Sequence, residues 1–119
     1  MEKIALILDS GAVAVDQAGT SYTAAFETRK CSGILSLLIT TSAGSVTVTQ
    51  QCGLTGDGTF YDPVSSANVA LGAIATGFTV GSRFISIDPV ATPWSRLKIV
   101  EANVAATSFT AKVYETIDT

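Results

Sequence analysis

The sequence predicts an all-β domain: an antiparallel β-sandwich of jelly-roll type with about eight strands. Three observations predict it. Apolar residues recur with a period of two along nearly the whole chain, and no stretch carries the stripe of an amphipathic helix. Turn signals rich in Gly, Asp, Asn and Pro break that pattern at intervals of about 8–12 residues, the spacing of sandwiches and barrels. Charged residues are only 14% of the chain, and the polar positions fall largely to Thr and Ser, which suit exposed strand sites.

The elements follow in order. Lys3 to Leu8 is an apolar strand stopped by Asp9-Ser10-Gly11, and Ala12 to Val15 continues extended structure before a loop at Asp16-Gln17-Ala18-Gly19. Residues 1–19 are therefore read as an N-terminal extended arm or edge strand, and residues 20–119 as the sandwich domain. Ile4, Leu6, Leu8, Val13 and Val15 are the arm's candidate interface residues, apolar enough to order when laid on a neighbouring subunit. Ser21 to Glu27 alternates weakly, with Tyr22, Ala24 and Phe26 on one side. Gly33 to Thr40 is so dense in Ile and Leu that coverage on both faces is expected.

Thr41-Ser42-Ala43-Gly44 reads as a hairpin connection into Ser45 to Cys52, where Val46, Val48, Gln50 and Cys52 alternate with Thr47, Thr49 and Gln51. Such a hairpin places Cys31 and Cys52 near the same end. Gly53 to Gly58 is a turn cluster, and Thr59 to Asp62 a short strand closed by Pro63. Val64 to Gly77, rich in Ala and Ser, reads as a surface loop or one short helix. Phe78 to Ile87 is a strand with a bend at Gly81-Ser82. Asp88-Pro89 and Thr92-Pro93 bracket a loop. Trp94 to Glu101 sets Leu97 and Ile99 against Arg96 and Lys98; Asn103 to Ala106 turns the chain into Thr107 to Glu115, where Phe109, Ala111 and Val113 share a face.

Bulk properties narrow the function. A chain of 119 residues makes one domain, and 47% hydrophobic residues are enough to fold it. A net charge of −3 with scattered cations argues against nucleic acid. No apolar run approaches the roughly 20 residues of a membrane span, and the first residues lack a signal peptide's hydrophobic region, so synthesis in the cytoplasm is expected. A surface of hydroxyls is easier to desolvate than one of ions, which suits a protein packed against neighbours.

Catalytic chemistry finds little footing. There is no His, which removes the commonest general base, and two cysteines without His make no zinc site, so no metal or cofactor is expected. Cys31, beside Arg29 and Lys30, reads as a half-buried free thiol. Asp57 and Asp62 flank a Gly-rich turn without the cleft that glycosidases need or the ligand series of a calcium loop. Tyr61 and Trp94, with Phe60, are candidates for a carbohydrate-stacking platform or an interface anchor, although Phe60 and Tyr61 must point opposite ways along a strand.

The stretch Ser45-Val46-Thr47-Val48-Thr49-Gln50-Gln51-Cys52 followed by Asp57-Gly58-Thr59-Phe60-Tyr61-Asp62 resembles a pattern of tailed-bacteriophage virion proteins. Gly33 to Leu37 and Ser95 to Val100 fit the same arrangement, so the resemblance spans about residues 20–115; Gly53-Leu54-Thr55-Gly56 replaces the usual Ser before Asp-Gly. It implies a small sandwich or jelly-roll module of the virion, without enzyme activity. The first expectation is a capsid decoration (cement) protein, a homotrimer bridging the major capsid protein or other shell subunits. A tail, neck or fibre component is the alternative within the virion, and a carbohydrate-binding module the alternative of another class.

Overall fold

The computed structural model describes residues 2–118, which form eleven strands and no helix. In chain order these are β1 (Glu2–Asp9), β2 (Val13–Val15), β3 (Thr20–Tyr22), β4 (Phe26–Glu27), β5 (Cys31–Thr41), β6 (Val46–Gly53), β7 (Phe60–Tyr61), β8 (Ala73–Phe78), β9 (Gly81–Ile87), β10 (Trp94–Glu101) and β11 (Thr107–Asp118). All pairings are antiparallel. One sheet has the order β1-β11-β5-β9 with β2 also on β11; the other has β3-β10-β6-β7 with β4 on β10 and β8 on β6.

Six of the eleven segments are halves of interrupted strands: β1 and β2 both run along β11, β3 and β4 along β10, and β7 and β8 along β6. Merging them leaves eight strands in sheets of order 1-8-3-6 and 2-7-4-5, the interleaving of a jelly roll. Two interruptions share a device. Ser10 Oγ accepts the Ala111 N–H at 2.8 Å and Thr23 Oγ1 accepts the Leu97 N–H at 3.0 Å. A hydroxyl thus takes the place of a backbone carbonyl where the strand breaks, so the Ala111 and Leu97 donors keep a partner.

The core lies between the sheets. Leu35, Leu37 and Ile39 of β5 and Phe109, Ala111 and Val113 of β11 face Val46 and Val48 of β6 and Leu97 and Ile99 of β10, with Phe26 and Phe78 filling the ends. Each buried Val, Leu, Ile or Phe side chain among them contributes about 1.5–3 kcal/mol on leaving water. Gln50 stands among them at an inward position, fully satisfied: its Nε2 donates to Val90 O and Ser95 Oγ, and its Oε1 accepts the Val90 N–H. The side chain therefore ties the 88–93 loop to the floor of the sandwich.

Several expectations are corrected. Residues 41–44 do not close a hairpin, because β5 and β6 lie in different sheets and the connection arches between them. The same holds for residues 103–106 between β10 and β11. Alternation makes each strand bury one face, but the buried faces meet across the sandwich rather than side by side. Phe78 to Ile87 is likewise two strands, β8 and β9, in opposite sheets; Gly81, with φ of 136°, makes the change of direction. Residues 64–77 hold no helix; a Val64–Ala70 bridge and then β8 occupy them. β5 is covered on one face, leaving Ile34 exposed and Leu38 half-buried.

The N-terminal segment pairs with its own chain: β1 with β11 from Glu2 to Asp9, and β2 with β11 over Val13 to Val15. β1 carries a bulge at Ile7, which turns Leu8 inward. Leu8 and Val15, read from the sequence as interface residues, are core residues at 9% and 1% exposure, because the bulge and the inward register of β2 place both between the sheets.

One carboxylate organises the end of the sandwich where three connections meet. Glu101 is buried and accepts N–H groups from Ala18 (3.0 Å), Ser45 (3.1 Å) and Val104 (2.9 Å). Gly44, with φ of 70°, packs so closely that a Cβ there would meet Ala105 O at 2.6 Å and Glu101 Oε2 at 2.8 Å. Burial alone would raise the Glu101 pKa, but the donated backbone N–H groups of Ala18, Ser45, Val104 and Ala105 outweigh it and hold the group at about 2. The folded pKa lies below the unfolded value, so the stabilisation is present above about pH 4.3 and is lost as pH falls towards 2. Glu101→Gln is therefore expected to lower Tm at pH 7, with the gap from the native protein narrowing steadily in melts between about pH 4.3 and pH 2.

Candidate functional site

The two outer faces of the sandwich differ. On the outside of β10 and β6 the chain covers itself. The Arg96 guanidinium sits over the rings of Tyr22 (4.0 Å) and Phe60 (4.8 Å), and its Nε donates to Gln51 Oε1 at 2.7 Å. Gln51 Nε2 donates to Asp62 Oδ1 at 2.9 Å, and Asp62 pairs with Lys98 at 3.6 Å. This polar lattice fastens the long connection between β6 and β8 to its sheet. Trp94 belongs to the same cover: its half-buried ring lies against Gly56, where a Cβ would come within 2.9 Å.

Among the described residues, nothing comparable covers the outer face of the other sheet. Strand alternation presents Ile4 and Leu6 from β1, Tyr114 from β11, Leu38 from β5 and Phe84 from β9 on this side, and Ile34 lies near its end. Ile4 is 75% exposed, Leu6 50%, Ile34 54% and Phe84 69%. Register aligns them: Leu6 is opposite Tyr114, Leu38 is opposite Phe84, and the Phe84 and Tyr114 rings stand 6.5 Å apart. Hydroxyls fill the gaps, with Thr40 and Ser82 bonded at 2.8 Å and Ser36 and Ser86 at 3.4 Å. The opposed Asp9 and Lys112 are the charges of the central rows. A face of this make-up is suited to being covered by another molecule.

The sequence-derived candidates therefore separate. Ile4 and Leu6 belong to this face, Val13 is half-buried against the core, and Leu8 and Val15 are inside. Tyr61 is 65% exposed beside a shallow hollow with Cys52, Gly53, Leu54 and Thr92. It pairs with Cys52, whereas Trp94 and Phe60 flank Gly53, so Tyr61 points to the opposite side of the sheet from both. Tyr61 and Trp94 form no common stacking platform. Leu38, Phe84 and Tyr114 were not singled out from sequence; the unread signal was the alternation Ser82-Phe84-Ser86, which sets an aromatic on a polar face.

A cleft of about 460 Å³ at the far end is lined by Thr28, Arg29, Cys31, Gly33 and the 88–93 loop. Its thiol is not activated. Burial raises the Cys31 pKa, and the carboxylates of Glu115 and Asp88 raise it further. Burial also raises that of Cys52, against a hydrogen bond with Thr92 that lowers it. Both cysteines are free. Among the described residues no three of His, Cys, Asp and Glu group as metal ligands.

The sequence matches no protein-family model and no curated protein. The fold defines the class, an antiparallel jelly-roll β-sandwich. Among solved structures, one chain from work titled "Bacillus endospore appendages form a novel family of disulfide-linked pili" superposes with a TM-score of 0.48 at 15% identity, covering 99% of this chain and 92% of that one.

Glu115 is the strained group near the cleft. It is 4% exposed, its Oε2 has no hydrogen-bond partner among the described residues, and burial followed by repulsion from Glu27 raises its pKa, against an opposing pull from Lys30. A raised carboxyl pKa means that ionisation opposes folding, so the cost is absent at low pH and grows as pH rises through the folded value. Glu115→Gln is expected to raise Tm at pH 7 and to leave it unchanged below about pH 4, the opposite pH course to Glu101→Gln.

Proposed function

We propose that this chain is a non-enzymatic structural subunit of a phage virion, and that it decorates the head as a cement protein bridging shell subunits such as the major capsid protein. The observation that carries this reading is the uncovered face of Ile4, Leu6, Leu38, Phe84 and Tyr114. It offers large apolar side chains set among hydroxyls on a rigid sheet, while the opposite face is closed by the chain's own connection. Covering such a face gains about 25 cal/mol for each Å² of apolar surface removed from water, with few ions to desolvate. A decoration protein acts through contact area and needs no reacting group, and neither thiol is poised as a nucleophile.

Particles assembled without the protein test the reading. Heads are expected to fill and to carry full-length tails, yet to rupture under milder heat or osmotic shock than native particles. Added purified protein is expected to restore resistance, and a Leu6→Lys variant to restore far less. Missing tails or fibres would move the subunit to the tail, and intact shock resistance without it would remove the cement role.

A further inference from the structure

The four sheet edges are unequal. On one side of the sandwich the edges are β1 with β2, and β3 with β4; β2, β3 and β4 have two or three residues each, and β1 is broken by its bulge at Ile7. On the other side, β7 has two residues and β8 pairs with β6 through two register shifts. Short, bulged or irregular edges are how sheets avoid pairing with other chains. β9 is the exception: Gly81 to Ile87 runs seven residues in unbroken register with β5. It has no Pro, and its one charged residue, Arg83, has its guanidinium 4.7 Å over the ring of Phe78. None of its residues is buried.

We infer that β9 is a docking edge, and that its occupant is β9 of a second copy of this chain, antiparallel about a two-fold axis through Phe84. In that register Phe84 meets Phe84, Ser82 meets Ser86, and Arg83 meets Ile85, so every pair shares a face and the two arginines are not opposed. The strand itself carries no carboxylate; the nearest, Asp88, follows its last residue and faces the uncharged Val80 of the second copy in this register. The rival occupant is β1 of a third-party copy in head-to-tail order, as a closed three-subunit ring would require. It also runs antiparallel to β9, but its bulge limits regular pairing to the stretch before Ile7. The two-fold pairing joins two sheets into one and makes the Phe84 end of the uncovered face continuous across the dimer.

This inference deepens the assembly reading by naming one contact within it, and the two fail separately. A strictly monomeric protein that still protects heads would end the dimer alone; a dimer that leaves heads unprotected would end the cement role alone. The test is sedimentation equilibrium of the purified full chain up to about 1 mM. A monomer–dimer equilibrium is expected, weakened at least about tenfold by Phe84→Lys and unchanged by Ile4→Lys, both side chains being exposed in the monomer. With Cys31 and Cys52 replaced by Ser, Phe84→Cys is expected to form a cross-linked dimer on oxidation, and Ile4→Cys none. The inference is overturned by a monomer at every concentration, by trimers, or by association that Ile4→Lys weakens and Phe84→Lys does not.

Discussion

The structure depends on the contact between two strand pairs, β5 with β11 and β6 with β10. Their inward residues, Leu35, Leu37, Ile39, Phe109, Ala111 and Val113 against Val46, Val48, Leu97 and Ile99, make one continuous apolar layer. These four strands form the middle of the two sheets, and every other strand pairs with one of them. Because their inner residues supply the core, the outer residues of the same strands are free to be polar, apolar or mixed without loss of fold. The outer faces and edges are therefore where this fold can vary without loss of its core.

Polar groups inside this frame position connections. Glu101 gathers the turns before β3, before β6 and before β11 onto one carboxylate, and Gln50 does the same for the 88–93 loop at the other end. Each replaces several backbone–backbone bonds that irregular loops cannot make for themselves. Glu115 is the contrast: equally enclosed, it has an oxygen with no donor. Two buried glutamates in one domain thus act in opposite senses, decided by whether N–H groups point at them.

Strand existence was legible in the sequence, and strand partnership was not. The alternation in Ser45 to Cys52 and Trp94 to Glu101 located β6 and β10 within a residue or two and identified their buried faces. The same alternation is indifferent to whether the next strand lies beside or across, so the arches at residues 41–44 and 103–106 looked like hairpins. Leu8 was misplaced because one bulge at Ile7 shifts the parity of everything after it, and a bulge leaves no mark in a run as uniform as Ile4-Ala5-Leu6-Ile7-Leu8. Of the candidate surface, Ile4 and Leu6 were named from the sequence for their apolar character, together with the buried Leu8 and Val15; Phe84 was passed over, because a single strand over Phe78 to Ile87 hides that β9 is an edge, a property of the whole topology.

The asymmetry of the two outer faces follows from that topology. The long connection between β6 and β8 must return to pair with β6 again, so it folds over the sheet it came from and is pinned there by Arg96, Gln51, Asp62 and Lys98. The other sheet is built from β1, β11, β5 and β9, whose described connections leave at the ends of the sandwich. No described segment is available to lie across it. Hence Ile4, Leu6 and Phe84 stay exposed, and Leu38 and Tyr114 half-exposed, with no described segment over them.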